Sequence, residues 1–141
     1  MASETFVDTS GFYALLVERD EMHELAVRIL RQAERRRATF VTSDYVLDET
    51  ATLLAARGFG HLVDEFLQST LRSKACLVDW TGPELFVRTA TFMAKHIDQG
   101  WSFTDCVSFQ IMKARKLRAA LTKDEHFEKA GFKALLRGEP D

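Results

Sequence analysis

The chain has 141 residues, 46% of them hydrophobic and 28% charged, the size and composition of one domain able to bury its own core without staples. Its formal net charge of −2 excludes a chain-wide attraction to nucleic acid and leaves only local asymmetry to provide one. Cys76 and Cys106 both lie in apolar surroundings and suggest no disulfide framework, and His23, His61, His96 and His126 lack the spacing of a zinc site.

Short β-prone runs alternate with longer amphipathic runs along the chain. Residues 4–8, with Thr5, Phe6 and Val7, predict the first strand, and a helix follows from Ser10, a suitable N-cap, to about residue 18. Residues 21–37 predict a second helix, with Leu25, Ile29 and Leu30 among its apolar positions, and residues 38–42 a second strand. Asp44 is placed to cap a helix running to residue 57, with Gly58 suited to its C′ position. Residues 60–71 carry Leu62, Val63, Phe66 and Leu67 at helical spacing, and residues 75–79 predict a third strand. Thr81-Gly82-Pro83-Glu84 has the form of a capping box, with Pro83 in the first turn of a helix reaching about residue 96. Gly100 falls in the loop beyond, residues 103–114 predict the next helix, and residues 119–122 a fourth strand. A short helix over 125–129 is stopped by Gly131, residues 132–136 predict a fifth, edge strand, and the tail 137–141, with Gly138 and Pro140, is expected to fray.

The opening MASETFVD has no basic n-region and no long apolar stretch, so no signal peptide is expected. No apolar run approaches the ~20 residues of a membrane span. The expectation is therefore one cytoplasmic domain over residues 1–141, without repeats or linkers. Strands separated by helices predict an α/β fold whose parallel sheet is covered on both faces. Ligands of such sheets bind beyond the carboxyl ends of the strands.

Four acids fall where this rim would be. Asp8 follows the first strand, Asp124 follows the fourth, and Glu49 and Asp105 sit on helices able to reach the same edge. Taken singly, each has a plain structural reading. Asp8 serves equally well as a turn residue, Asp105 can close a capping box with Ser102, and Asp124 can cap the short helix after it. Glu49 shares a helical stripe with Val46 and Leu53, where an acid wants a partner or an ion, whereas Asp48 is turned about 100° away. Gathered together, the four would repel one another unless a cation sat among them, and an all-oxygen ligand set favours Mg²⁺ or Mn²⁺ over zinc.

In order and context the set resembles the PIN-domain (PilT N-terminus) ribonucleases, most of all the small bacterial VapC-type toxins. The pieces that carry the resemblance are Phe6-Val7-Asp8-Thr9-Ser10, Glu49 on the third helix, the helix start Ser102 to Asp105, and Leu121-Thr122-Lys123-Asp124 followed by Gly131-Phe132. The resemblance spans residue 6 to about residue 136. It implies a three-layer α/β/α sandwich on a mostly parallel sheet of about five strands. It also implies Mg²⁺ or Mn²⁺ held by Asp8, Glu49, Asp105 and Asp124, and cleavage of RNA by an activated water. Thr9, Ser10 and Thr122 carry over as hydroxyls able to bond the acids, a water or a phosphate, while Lys123 receives no catalytic role. A cognate antitoxin protein and a homodimer are implied partners.

An acidic site needs basic flanks to hold RNA. Lys113, Arg115, Lys116 and Arg118 end beside the fourth strand and are the better candidates for phosphate contact; Arg28, Arg31, Arg35, Arg36 and Arg37 read as a solvated helix face. Trp101 or Phe103, flanking Ser102, could stack on a base, with Phe103 the more natural core residue. Phe59, Leu62 and Phe66 read either as a partner surface or as core. Two other functions compete. A receiver-type phosphoacceptor would use Asp79 after the third strand, but the first strand ends in a single acid, and a dehalogenase-type phosphatase would need an acid where Ser10 stands. The third alternative is a PIN fold kept only for binding RNA or protein.

Overall fold

The computed structural model describes residues 4–137; the expectations for the first three residues and for 138–141 fall outside them. Five strands form one parallel sheet: β1 (Glu4–Val7), β2 (Thr39–Ser43), β3 (Cys76–Asp79), β4 (Ala119–Leu121) and β5 (Lys133–Ala134), in the order β3-β2-β1-β4-β5. The register sets Phe6 beside Val41 and Ala120, so the ends of β1, β2 and β4 meet at one rim. The helices are α1 (Thr9–Leu16), α2 (His23–Arg35), α3 (Asp44–Ala56), α4 (Val63–Arg72), α5 (Pro83–Lys95), α6 (Phe103–Arg115) and α7 (Glu125–Lys129).

The strand order explains the layers. The chain moves outward from β1 through β2 to β3, then returns past β1 to β4 and β5. Right-handed crossovers therefore put α1 to α4 on one face and α5 to α7 on the other. The packing agrees: α1 contacts α2 and α3, α3 contacts α4, while α6 contacts α5 and α7. This order also differs from the 2-1-3-4-5 order of receiver-type sheets. Here β3 is an edge strand, and Asp79 is bound by the Arg115 guanidinium rather than presented at a central strand end.

The core is aromatic and lies mainly under β1 and β4. Phe109 takes Trp101 and Phe127 edge-on, both at 5.0 Å between ring centres, and Phe12 meets Phe66 at 5.0 Å on the other face. Burying each such ring contributes roughly 2–3 kcal/mol. Phe66 is buried in the core, whereas Phe59 and Leu62 are half-buried and pack against its edge. Large exposed apolar side chains lie elsewhere: Leu77, Trp80, Phe86 and Val87 on β3, the loop after it and the start of α5, with Leu71 near the end of α4 and Ile97 beyond α5.

Several helix starts differ from expectation. Asp8, not Ser10, occupies the N-cap position of α1, and its side chain makes no capping bond. Ser43 caps α3 by accepting from the Val46 N–H, which leaves Asp44 free to accept from both the backbone and the hydroxyl of Thr81. Thr81 is thereby withdrawn from the capping box expected at α5, which starts instead from Gly82 with Pro83 in its first turn. The Ser102–Asp105 box at α6 and the Asp124 cap at α7 form as expected. Gly58 sits just past α3 at φ 87°, the left-handed conformation that suits glycine there. Arg137 is tied to Glu128 and to the Lys123 carbonyl, so the expected fraying does not begin at that residue.

Candidate active site

Asp8, Glu49, Asp105 and Asp124 line one cavity of about 550 Å³ at the carboxyl rim of the sheet. Each arrives from a different element. Asp8 leaves β1 with its N–H on the Leu121 carbonyl. Glu49 projects from the second turn of α3, Asp105 from the first turn of α6, and Asp124 from the start of α7. Asp48, one residue away on the exposed side of α3, is not among the lining residues, as the helical register predicts.

Three hydroxyls hold the acids in place. Thr9 donates to Glu49 Oε1 at 2.8 Å, and Thr122 donates to Asp8 Oδ2 at 2.9 Å. Because Thr122 has one hydroxyl proton and spends it on the carboxylate, the 3.1 Å contact between Ser10 Oγ and Thr122 Oγ1 must be donated by Ser10. Ser10 in turn accepts from the Lys123 N–H, and Thr122 from the Asp124 N–H. The direction of every bond in this chain leads to the Asp8 carboxylate. The network depends on Gly11. A Cβ at that position would stand 2.1 Å from the Leu121 carbonyl oxygen, so only glycine lets α1 come this close to the end of β4.

The electrostatics are adverse to the bare acids. Asp8 is 5% exposed, and burial pushes its carboxyl up to about 7; bonds from Thr9 and Thr122 oppose the rise, and the charges of Asp105 and Asp124 add to it. Burial also raises Asp105, against the bonds it accepts from His126 and Ser102. His126, not singled out in the sequence, brings Nδ1 to 3.0 Å from Asp105 Oδ2 and 3.5 Å from Asp124 Oδ1. One ligand atom from each of Asp105, Asp124 and His126 falls within a 4.8 Å span. This group fits a divalent cation, with Asp8 and Glu49 lining the same cavity outside it; burial makes Asp8 and Asp105 resist ionisation, and a positive charge would relieve both. Cys106, next to Asp105, is buried and its thiol is pushed up to about 11, which keeps it protonated and unreactive.

The expected phosphate contacts are not brought here. Lys113 lies over the Phe92 ring and Arg115 pairs with Glu4 and Asp79, about 12–15 Å along α6 from Asp105. The physical reason is direction: α6 starts at the rim and runs away from it, and β4 begins at the far edge of the sheet, so a cluster beside its start is remote from its end. Trp101 is also removed as a base platform, since it is buried against Phe109, and Phe103 packs on Tyr45 and Phe86. The cations that do line the cavity are Arg57 and Lys123, joined by Tyr13. Arg57 gives no signal in the sequence, because it sits at the end of α3, two turns from Glu49, where a basic residue is ordinary helix chemistry.

The PIN-domain family profile matches residues 5–133. The 23S rRNA-specific endonuclease VapC20 of Mycobacterium tuberculosis is 31% identical over 127 residues, covering 90% of this chain and 94% of that protein. A VapC ribonuclease of Archaeoglobus fulgidus is 27% identical over 114 residues, covering 79% of this chain and 72% of its own length. The crystal structure of Mycobacterium tuberculosis VapC20, described as a sarcin–ricin loop cleaving toxin, superposes with a TM-score of 0.80 at 29% identity, over 92% of this chain and 96% of that one.

Proposed function

The chain belongs to the PIN-domain family, and from that premise we propose that it is a metal-dependent endoribonuclease acting as the toxin of a toxin–antitoxin pair. The observation that carries the reading is the convergence of Asp8, Glu49, Asp105 and Asp124 from four elements onto one cavity. These four residues would hold the ion, with His126 beside Asp105 and Asp124. Mg²⁺ or Mn²⁺ is the favoured cation, because the donors are hard carboxylate oxygens. When bound, such an ion supplies an acidified water and neutralises charge developing on a phosphodiester.

The chain's own part is positioning. The Thr9 and Thr122 hydroxyls fix one oxygen each of Glu49 and Asp8, so these carboxylates need little reorganisation before a ligand arrives. Thr9, Ser10 and Thr122 spend their hydroxyl protons in that network and Cys106 is held neutral, which argues against any of the four as a nucleophile. A similar division of labour underlies carboxylate-rich phosphodiesterases in general.

RNA is the proposed substrate and a cognate antitoxin protein the proposed partner; the relatives' names as rRNA-specific endonuclease and VapC ribonuclease support the first, and the description of the solved relative as a toxin supports the second. A homodimer is proposed as well, which light scattering with Val87→Lys as a control would check. No helix among the described residues is long and apolar enough to cross a membrane, and the substrate argues for a cytoplasmic location. The deciding experiment is cleavage of a labelled ribosomal RNA fragment with Mg²⁺, Mn²⁺ or EDTA. Asp8→Asn should lower the rate by at least about 10²-fold. Undiminished cleavage in excess EDTA would exclude the mechanism.

A further inference from the structure

We propose that a cationic and aromatic groove built from Tyr13, Arg19, Arg57, Phe59 and Lys123 holds the single-stranded RNA segment flanking the scissile phosphate; this rests on the ribonuclease reading above. A second cavity, of about 490 Å³, opens beside the acidic one, and the two share Tyr13, Arg57 and Lys123 as walls. They form one continuous trough from the acids to Arg19 and Phe59.

The trough is built of paired elements. The Arg57 guanidinium lies 5.2 Å from the centre of the Tyr13 ring, and the Arg19 guanidinium 5.2 Å from the centre of the Phe59 ring. The two rings meet edge-on at 6.1 Å, so the four side chains form one unit. Stacking of this kind holds an arginine in place without consuming its N–H donors. Arg19 and Arg57 make no ion pair among the described residues, although both are exposed. Unpaired, pre-positioned guanidinium groups next to a cluster of acids are placed for an anion that the acids alone would repel.

The acids facing the trough are accounted for. Asp20 is occupied by the Met22 N–H at 3.0 Å. Glu21 approaches Lys123 at 3.8 Å, but that pair is exposed on both sides and worth little against a phosphate. Aromatic rings and guanidinium planes favour unstacked bases, which a duplex does not offer, so the fitting ligand is a single strand or loop. Lys123, given no role from the sequence alone, here joins the two cavities.

The test uses the full chain carrying Asp8→Asn in EDTA, so that bound RNA is not cut, and a fluorescein-labelled single-stranded RNA followed by anisotropy. Arg19→Glu and Arg57→Glu should each weaken binding about tenfold and flatten its salt dependence. Tyr13→Leu, which keeps apolar bulk, should lose about fivefold or more, and Tyr13→Phe should bind like the parent. Arg28→Glu and Arg118→Glu make the same charge change away from the trough and should cost less than about twofold. Equal losses at these two positions, parental binding by Arg19→Glu and Tyr13→Leu, or no binding by the parent would each overturn the proposal. Cleavage by the otherwise unaltered chain is measured separately. If it is absent while the binding pattern holds, the ribonuclease reading fails and the groove stands as an RNA-binding surface alone.

Discussion

Asp8→Asn should make the metal-free protein more stable, not less, and the gain should depend on pH. The carboxyl is 5% exposed and ionises at about 7 in the fold against 3.8 in a solvated chain, with burial as the main cause. The folded state therefore holds the proton more tightly than the unfolded state. That contribution is fully present below pH 3.8 and is lost as pH rises to about 7. Above the window, an ionised Asp8 costs the fold roughly 4 kcal/mol relative to a group that stays neutral. Asparagine keeps the shape and can still accept from the Thr122 hydroxyl, so it removes the charge with little else. Urea denaturation of both proteins in EDTA, at pH 4, 5.5, 7 and 8.5, measures the difference. It should be near zero at pH 4, grow by about 1.4 kcal/mol per pH unit, and level off above neutrality. Millimolar Mg²⁺ or Mn²⁺ should then favour the parent, which keeps the charge that binds the ion. A difference of constant size across this range, or Asp8→Asn less stable throughout, would refute the claim that an unpaired buried charge resides here.

Mg²⁺ or Mn²⁺ should raise the melting temperature of the parent by mass action, and a thermal scan without any response at millimolar ion would count against convergence of the acids on a cation. Glu49→Gln should lose most cleavage and most of that metal response while Asp48→Asn keeps both, since only Glu49 lines the cavity; the reverse result in a side-by-side assay would show the α3 register to be wrong. Thr122→Val should leave Asp8 without its hydroxyl donor and lower cleavage about tenfold, with Thr122→Ser restoring it. Gly11→Ala should destabilise the fold by about 1–3 kcal/mol, read by denaturation, because its Cβ meets a backbone oxygen that cannot swing aside.

Most of the fold could be read from the chain because the strands are short, apolar and set off by amphipathic helices whose spacing is regular. The site was legible where function and local structure coincide: Asp105 is both a capping-box residue and a rim acid, and Asp124 both a cap and a rim acid. Local sequence is silent where the outcome depends on a long-range partner. Thr81 leaves its own helix for Asp44, and Ser10 leaves the cap position for Thr122 and Lys123, across more than a hundred residues. The basic cluster near β4 was misplaced because sequence proximity to a strand does not say which end of it lies at the rim. Arg57, Tyr13 and His126 carry no local signature, and only the packing of α1 against α3 and of α6 against α7 brings them to the acids.

The close approach at Gly11 has a bearing on how chains of this kind are sorted into working and silent copies. The acids are what a sequence comparison counts, yet they can all survive in a protein whose first helix no longer seats on the fourth strand. With any side chain at that glycine, the helix must retreat, and Ser10 and Asp8 retreat with it from Thr122. Such a copy would look complete on paper while its proposed site is displaced. On the proposed site, the residue with no functional group would then be as good an indicator of an intact copy as the four acids.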